Sequence, residues 1–404
     1  MKVALVHDYL KEYGGAERVL EALHELYPKA PVFTTVYLPS YLGPHRERFR
    51  DWNIRTSWLQ YIPFKQKLIS PLRLLTPWVF KQFDFSDYDV VIVSATGAYF
   101  PNTIPTTPHP GPLPQGERGK RKVVHICYCH TPPRYLYGFA TAREWKKNIF
   151  FRILGAVANH ILRLVDFEAS KNVDYYIANS EEVAGRIRKF YRRDSTVIYP
   201  PVDIASPMSS SRKRGSEILD QVENDEKGYF LAGGRLARPK HIDLIVRACL
   251  PDEASAKSGR EPIRLKVFGK SFAGYGDELK SQIANRKSQI EFLGEVTDEE
   301  KWELMSGAKA YINASEDEDF GILPVEAMAA GTPVIAYRSG GVKETVVDGE
   351  TGLFFDELTE ESLKNAMKKL EKMEFNAKSC WKRAELFSKE QFMKQIEAFL
   401  ISKA

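Results

Sequence analysis

The sequence predicts an α/β fold with two Rossmann-like domains facing a cleft. Three observations support this prediction. Short apolar strands alternate with helical patterns over residues 2–199, the alternation stops in a Ser-rich, mixed-charge stretch at 206–227, and it starts again at residue 228. Such alternation is typical of a doubly wound parallel sheet, and ligands bind these folds between domains and at the carboxyl ends of strands.

The first half opens as a strand, a loop and a helix. Residues 2–7 form a short apolar run, Tyr13-Gly14-Gly15 is a turn, and apolar residues then recur at helical spacing up to Leu26. Further strands are predicted at 89–94, 123–128, 174–180 and 196–199, with a helix over 182–191.

In the second half, strands are predicted at 228–232, 264–269, 291–294, 310–313 and 333–336. These patterns predict an N-terminal domain over 1–205 and a C-terminal domain over 206–384. A final helix over 385–404 is predicted to return to the N-terminal domain.

Composition narrows the class of protein. A chain of 404 residues with 43% hydrophobic residues is long and apolar enough for two packed domains. The net charge of +5 is too small to indicate nucleic-acid binding. The four cysteines do not form a disulfide framework, so a reducing cytoplasm is expected, and Cys127 and Cys129 are predicted to be buried thiols in a strand.

Neither a signal peptide nor a membrane-spanning helix is expected. The apolar run at Val3–Val6 is stopped by His7 and Asp8. No uninterrupted apolar stretch approaches the length of about 18 residues that a membrane span requires. Contact with a membrane would therefore take place at its surface.

A Pro-rich stretch at 103–121 interrupts the first half. Five prolines between Pro105 and Pro114 exclude a helix or an interior strand. The stretch is interpreted as an inserted surface loop, and a Pro-rich partner-binding motif is the alternative.

The segment from Glu318 to Pro333 carries the strongest chemical signal. An acidic loop with a glycine leads into a helix that is predicted to open at about Pro324 and to end at Gly331. A helix N-terminus at the end of a strand binds anions. Glu326 is placed in the first turn, where it accepts hydrogen bonds from sugar hydroxyls or simply complements the helix dipole.

This segment, with Glu318 and Glu326 separated by seven residues, resembles the paired-glutamate signature of family 4 glycosyltransferases. Four other segments resemble the family's motifs in the family's order: Gly14-Gly15-Ala16-Glu17, His130-Thr131-Pro132-Pro133-Arg134, Gly234-Arg235-Leu236 with Lys240, and Phe292-Leu293-Gly294-Glu295-Val296. The resemblance covers nearly the whole chain. It implies a retaining enzyme of the two-domain fold called GT-B that needs no metal or other cofactor, similar to the bacterial mannosyltransferases of O-antigen and exopolysaccharide assembly.

The resemblance also implies a set of site residues. The implied catalytic residues are His130, Arg235, Lys240 and Glu318, and the implied donor-binding residues are Gly14, Gly15, Val296, Asp298, Lys301, Phe320, Gly321, Ile322, Leu323 and Glu326. Arg235 and Lys240 would clamp the donor diphosphate, as in electrostatic stabilisation of a transition state. The backbone at 320–323 would hold the sugar and the phosphates.

The other implied roles concern the sugar, the ribose and the base. Glu318 would bind sugar hydroxyls, Glu326 the ribose and Val296 the base, with Asp298 and Lys301 nearby. Gly15 would let the backbone approach the phosphates, and His130 would face the sugar.

Each of these residues also has a plain structural explanation. Arg235 and Lys240 could be solvated charges, and His130 could be a hydrogen-bonded structural histidine. Asp298 and Lys301 could simply begin a helix, because Thr297-Asp298-Glu299-Glu300 resembles a capping box.

The implied reaction is transfer of a hexose, mannose from GDP-mannose, to a lipid-linked glycan acceptor in cell-surface polysaccharide biosynthesis. In this scheme the N-terminal domain faces the acceptor and the C-terminal domain binds the nucleotide sugar. An epimerase or phosphorylase of the same fold and an inactive nucleotide-sugar-binding module are the alternatives. The paired glutamates and the spacing of Arg235 and Lys240 favour transfer.

A basic and aromatic segment points to a membrane partner. Residues 52–83 contain no acidic side chain, whereas Arg55, Lys65, Lys67, Arg73 and Lys81 are interleaved with Trp58, Tyr61, Phe64 and Trp78. This composition suits an anionic bilayer. The expectation is a cytoplasmic protein attached peripherally to the inner face of the plasma membrane, and an ordinary solvated face is the alternative.

Overall fold

A computed structural model of the chain describes residues 1–106, 123–141, 149–204, 228–250, 263–272, 274–283 and 290–403. The described residues form two compact units. The first contains 1–139 and 149–201 together with 392–403, and the second contains 202–391 where it is described. Most of the Pro-rich stretch, residues 107–121, lies outside the described residues.

Each unit is built on a parallel sheet. In the described part of the first unit the strands are β1 (Val3–His7), β2 (Val32–Thr34), β3 (Ile54–Thr56), β4 (Val90–Ala95), β5 (Val124–Cys129), β6 (Tyr175–Ala178) and β7 (Ser195–Val197). In the second they are β8 (Tyr229–Gly233), β9 (Leu265–Phe268), β10 (Ile290–Gly294), β11 (Ala308–Asn313), β12 (Val334–Tyr337) and β13 (Gly352–Phe355).

The helices cover the sheets. In the first unit the described helices are α1 (Gly15–Leu26), α2 (Lys65–Leu72), α3 (Thr76–Val79), α4 (Arg134–Tyr137), α5 (Ile149–Lys171) and α6 (Glu181–Tyr191). From residue 202 onward they are α7 (Ile242–Cys249), α8 (Tyr275–Ile283), α9 (Asp298–Ser306), α10 (Ile322–Ala329), α11 (Val342–Thr345), α12 (Glu360–Leu370), α13 (Ala377–Glu385) and α14 (Lys389–Lys403).

Both sheets repeat one strand order. The first runs β3-β2-β1-β4-β5-β6-β7 and the second runs β10-β9-β8-β11-β12-β13, and all strand pairs are parallel. In each sheet the order reverses beside the first strand, between β1 and β4 and between β8 and β11. Ligands bind doubly wound sheets outside the carboxyl ends of the strands at this reversal. The topology therefore marks one such position in each unit.

The strands are buried because helices pack on both faces of the sheets. All five residues of β1 and all six of β4 are buried, as expected for parallel strands covered on two sides. The last helix, α14, contributes Phe392, Ile396 and Leu400 to the same hydrophobic cluster as Leu5 of β1. Cys127 and Cys129 are buried within β5, as the sequence predicted.

Some element bounds differ from the sequence prediction. The strand predicted at 196–199 ends at Val197, before Tyr199-Pro200-Pro201. The sequence patterns missed β2, β3 and β13, which have three or four residues each and are too short for a periodicity to stand out. Within the described residues, no helix is both long and apolar enough to cross a membrane.

Candidate active site

The glutamate-rich segment lies at the carboxyl end of β11, beside the strand-order reversal of the second unit. Its helix begins earlier than predicted. α10 starts at Ile322 rather than at Pro324, so the prediction that Glu326 lies in the first turn is wrong, and Glu326 is in the second turn. The reason is Gly321, whose left-handed backbone (φ 93°) turns the chain directly into the helix. Pro324 is still accommodated because an amide in the first turn has no intrahelical acceptor.

A lysine from another loop meets the first glutamate of the pair. Lys240 ends a short 3₁₀ turn after β8, and its Nζ lies 2.5 Å from Glu318 Oε2. The Lys240 side chain is 30% exposed and that of Glu318 is 15% exposed. A backbone hydrogen bond also connects the two loops, because the Glu316 amide donates to the Pro239 carbonyl at 2.9 Å. The contact leaves the ammonium group accessible to a ligand.

A second lysine holds the second glutamate. Lys301 Nζ donates to Glu326 Oε1 and to Asp298 Oδ1, both at 2.9 Å. The side chain of Glu326 is only 6% exposed and that of Lys301 is 14% exposed. This contact joins α9 to α10 and fixes the position of the Glu326 carboxylate.

Asp298 and Lys301 also lie where the plain structural explanation placed them. Thr297 and Glu300 form a capping box, with the Glu300 amide 3.2 Å from Thr297 Oγ1 and the Thr297 amide 2.7 Å from Glu300 Oε2. Residues 298 and 301 thus belong to the first turn of α9, and the same turn carries the lysine that binds Glu326. Val296 is half-buried directly before this cap.

Arg235 differs from its predicted clamp partner. It is exposed, and its guanidinium carbon lies 5.7 Å from the centre of the Phe272 ring, within cation–π range. Lys240 by contrast is joined to Glu318. An exposed guanidinium at the end of β8 remains able to meet an anionic ligand.

The sequence analysis missed a glycine pair that supports the acidic loop. Gly341 donates its amide to the Glu318 carbonyl at 2.7 Å. Gly340 has φ 70°, and a Cβ atom on it would lie 2.1 Å from the Glu318 carbonyl oxygen. Only glycine fits this close approach. The available signal was a glycine pair soon after a predicted strand, as at Gly14-Gly15.

The first unit presents buried polar side chains at its own strand-order reversal. His130 follows β5, is 9% exposed, and its Nε2 lies 2.9 Å from Ser94 Oγ of β4. Burial, together with the nearby His7, lowers the pKa of His130 to about 3. The imidazole is therefore neutral at pH 7.

Gly14 and Gly15 lie at the start of α1, after β1. The Gly14 amide donates to Glu17 Oε2 at 2.9 Å, and Glu17 is buried within the first turn. The Gly14 amide is thus already occupied by Glu17. His7, Ser94 and Glu17 are site neighbours that the sequence analysis did not assign a role.

Within the second unit, Lys240 contacts Glu318, and Lys301 contacts both Asp298 and Glu326. Phe320 is 2% exposed and its ring packs on Phe387 at 5.4 Å, so its side chain is not available to a ligand. Ile322 and Leu323 form the first turn of α10 with half-buried side chains. Among the described residues, no group of three or more His, Cys, Asp or Glu side chains could hold a metal ion.

The fold and the site together define a glycosyltransferase of the two-domain GT-B class. The family model described as "Glycosyltransferase Family 4" matches residues 13–206, and the model described as "Glycosyl transferases group 1" matches residues 216–387. Together the two models match most of both units. The chain belongs to the family 4 glycosyltransferases, as the resemblance of its motifs predicted.

Similar curated proteins include two mannosyltransferases. The alpha-1,3/1,6-mannosyltransferase ALG2 of Dictyostelium discoideum is 26% identical over 56% of this chain and 57% of its own length. The lipopolysaccharide core biosynthesis mannosyltransferase LpcC of Rhizobium leguminosarum bv. viciae is 35% identical over 31% of this chain and 36% of its own. For the three ALG2-type relatives that head the comparison, this chain spans 57%, 40% and 58% of their length.

A solved structure shows the same fold over the entire chain. Anabaena HepE, crystallised with UDP and glucose, has a TM-score of 0.65 at 20% identity and covers 100% of both chains. At this identity the likeness establishes the two-domain fold and not the substrate.

Proposed function

We propose that this chain is a retaining hexosyltransferase that transfers mannose from GDP-mannose to a lipid-linked glycan acceptor in cell-surface polysaccharide synthesis. The observation that carries the proposal is the pair of lysine–glutamate contacts around the start of α10, Lys240 with Glu318 and Lys301 with Glu326. Such a site offers the ammonium group of Lys240 to a diphosphate and carboxylates to hydroxyl groups. Both kinds of group are needed to hold a nucleotide sugar.

In this proposal the second unit binds the donor. When the bond between the sugar and the diphosphate breaks, negative charge builds on the phosphate oxygens. Arg235 and Lys240 neutralise that charge, and the first amides of α10 donate hydrogen bonds to the same oxygens. Because these groups supply the positive charge, the reaction needs no divalent metal.

The carboxylates of Glu318 and Glu326 and the backbone of Val296 orient the rest of the donor. Glu318 accepts hydrogen bonds from hydroxyls of the transferred sugar, and Glu326, fixed by Lys301, accepts them from the ribose. The backbone of Val296 meets the base. His130 of the first unit is a neutral imidazole and is able to hydrogen-bond a sugar hydroxyl.

The choice of mannose is supported by the names of two similar proteins, ALG2 and LpcC. LpcC also supports a role in lipopolysaccharide-type glycans. The Anabaena structure with UDP and glucose makes a uridine nucleotide and glucose the alternative donor that the experiment must separate.

A donor panel tests the proposal. Purified protein is incubated with GDP-mannose, UDP-glucose and UDP-galactose and a synthetic polyprenyl-diphosphate glycan, with and without EDTA, and nucleotide release is measured. GDP release that requires the acceptor and persists in EDTA is expected, and the product's anomeric configuration, read by NMR, should match that of the donor.

Other outcomes identify the alternatives. Release of UDP alone corrects the donor, and an inverted product excludes retention. Sugar interconversion without nucleotide release indicates an epimerase, and release that requires inorganic phosphate indicates a phosphorylase. Donor binding with no turnover under any condition indicates an inactive module.

We also propose that the first unit attaches peripherally to an anionic membrane on the cytoplasmic side, where a lipid-linked acceptor is held. Within the basic and aromatic segment, Trp58, Tyr61, Phe64 and Trp78 are 49%, 84%, 69% and 66% exposed. Large aromatic side chains with this exposure beside Lys67 and Lys81, which are also exposed, suit an interface with anionic lipid.

Helix α5 of the same unit adds a second apolar surface. Leu162 is buried against Phe100 and Leu136. On the exposed side are five aliphatic residues, each more than half exposed: Ile153, Leu154, Val157, Ile161 and Leu164. Contiguous exposed apolar residues of this kind mark interaction sites.

Vesicle sedimentation tests the attachment. Binding to vesicles of phosphatidylglycerol and phosphatidylcholine should exceed binding to phosphatidylcholine alone, and should fall with salt because surface charges are screened. A Trp58→Ser, Trp78→Ser double variant should bind less, whereas Leu386→Ser, at a side chain 56% exposed in the second unit, should bind like the unaltered chain. Equal binding to both vesicle types, or none to either, would exclude the attachment.

A further inference from the structure

A chain of buried polar side chains crosses the strand-order reversal of the first unit. His7 ends β1, Ser94 lies in β4, and His130 follows β5. His7 Nδ1 lies 3.1 Å from Ser94 Oγ, and Ser94 Oγ lies 2.9 Å from His130 Nε2. His7 and Ser94 are fully buried and His130 is 9% exposed. Polar groups removed from water need hydrogen-bond partners; Nδ1 of His7 has one in Ser94, whereas the buried Nε2 of His7 has none among the described residues.

The chain continues to the glycine loop. His7 Nε2 lies 3.5 Å from Glu17 Oε1, an ion-pair distance rather than a hydrogen bond. The other oxygen of Glu17 accepts the Gly14 amide at 2.9 Å, and Glu17 is 6% exposed. A carboxylate in the first turn of α1 is thus connected through two side chains to the ring of His130.

The carboxylate of Glu17 influences which atom in each of these hydrogen bonds carries the proton. A neutral imidazole carries one N–H, and a serine hydroxyl donates one hydrogen bond. In a neutral His7, the carboxylate of Glu17 beside Nε2 favours the proton on that nitrogen, so Nδ1 accepts from the Ser94 hydroxyl. Ser94 Oγ must then accept from His130, whose proton is therefore on Nε2. The opposite direction, in which Nδ1 of His7 donates to Ser94, requires a His7 that is unprotonated on Nε2 beside the carboxylate or protonated on both nitrogens.

We propose that Glu17, His7 and Ser94 are positioning residues that fix His130 in the Nε2–H tautomer, leaving Nδ1 as an acceptor for a hydroxyl group of a sugar ligand. The contact with a sugar rests on the proposed function, whereas the tautomer rests only on the contacts among Glu17, His7, Ser94 and His130. Within the part of the chain that the structure describes, Nδ1 of His130 makes no hydrogen bond. The second ring nitrogen of a histidine sets the role of the first, as in other oriented histidines.

The proposal has a chemical consequence for specificity. An acceptor nitrogen at this point pairs with a sugar hydroxyl and cannot pair with a deoxy position. A site built to hydrogen-bond a hydroxyl discriminates strongly against the analogue that lacks it, because its own polar group is then left unpaired. The buried polar side chains that orient His130 therefore contribute to selection of the sugar.

The tautomer is tested directly by NMR of protein labelled with ¹⁵N-histidine, because the two ring nitrogens have different shifts when protonated and unprotonated. The His130 signals are assigned by their loss in His130→Gln. We expect the Nε2–H form in the unaltered chain, and a mixture of tautomers in Ser94→Ala and in Glu17→Gln. His125, which is buried and hydrogen-bonded to Thr106 and Asn102, is an internal control whose signals should not change.

Kinetics with the identified donor complete the test. Ser94→Ala should lower kcat/KM by about tenfold, the effect of one hydrogen bond, while the Kd for the free nucleotide stays within about twofold. Ser94→Thr, which keeps the hydroxyl, should restore the tautomer. An Nδ1–H form in the unaltered chain, or a tautomer that is unchanged in both Ser94→Ala and Glu17→Gln, overturns the proposal. If the tautomer changes in Ser94→Ala and Glu17→Gln but the unaltered protein turns over no donor, the proposed function is refuted and the positioning role of Glu17, His7 and Ser94 is supported.

Discussion

The two units of the chain share a strand order but place different chemistry at its reversal. In the first unit the side chains at this point are His7, Ser94 and His130, which are buried and connected by hydrogen bonds, and the pKa of His130 is lowered to about 3. In the second unit the corresponding side chains are lysines paired with glutamates, at Lys240–Glu318 and Lys301–Glu326.

The difference shows how one backbone plan serves two tasks. Buried, hydrogen-bonded groups have fixed orientations and therefore suit recognition of sugar hydroxyls by direction. The accessible ammonium group of Lys240 suits a diphosphate, whose binding depends mainly on charge. The predictions below test this division, from the largest expected effect to the smallest.

Removing the positive charges of the second unit should have the largest effect. Arg235→Ala and Lys240→Ala should each lower kcat by about 10²–10³, because charge on the departing diphosphate is no longer neutralised in the transition state. Steady-state kinetics at saturating donor measure this effect. Arg238→Ala is a matched control on the same turn, since its contact is an ion pair with Glu278 at 2.8 Å. Near-normal turnover in Arg235→Ala and Lys240→Ala would show that the clamp is misassigned.

Glu326 should affect binding more than turnover. A ribose contact is equally strong in the ground and transition states, so Glu326→Ala should raise the donor KM by about 10- to 100-fold and leave kcat nearly unchanged. Glu300→Ala, which removes one side of the capping box of α9, should lower thermal stability without changing KM. Loss of turnover with donor affinity retained would instead give Glu326 a direct part in transfer.

Gly340, one of the glycine pair, and Gly349 have similar backbone conformations but different surroundings, which makes a sharper comparison possible. Gly340 and Gly349 have φ of 70° and 81°, but a Cβ atom would be 2.1 Å from Glu318 O at Gly340 and would meet nothing within 4 Å at Gly349. Both alanine variants incur the left-handed backbone penalty of about 1–2 kcal/mol. Only Gly340→Ala should displace Glu318, with about a tenfold lower kcat/KM. Equal kinetics in the two variants would mean that the position of Glu318 does not matter.

The smallest effect is expected from the Pro-rich stretch. Its predicted start at Thr103 needs revision, because Ile104 is 1% exposed and Thr106 Oγ1 lies 3.1 Å from His125 Nδ1. Replacing residues 107–120 with two glycines should change the free energy of unfolding by less than about 1 kcal/mol, since loop closure depends weakly on length. Deleting 104–119 should cost about 2–5 kcal/mol through loss of the buried isoleucine. Thermal denaturation of both variants checks this, and a large loss in the first would show that the stretch is structural.

Much of the site could be predicted from the sequence because its parts are local. The motif around Glu318 and Glu326, the capping box at Thr297 and the glycines after β1 are each contained in a few consecutive residues. The predicted start of α10 was wrong by two residues because helix bounds depend on backbone angles, and the left-handed angle at Gly321 is not visible in the residue pattern.

The sequence by itself determined the two α/β domains, the family and the identity of the charged motif residues, because apolar periodicity and short motifs act within neighbouring residues. Only the tertiary structure decided which side chains meet. Lys240 and Glu318 are 78 residues apart in sequence, and Ser94 and His7 are 87 apart. These contacts depend on the strand order of each sheet, which places the ends of β1, β4 and β5 side by side. Burial then makes the contacts specific, because a polar group removed from water must find its partner within the fold.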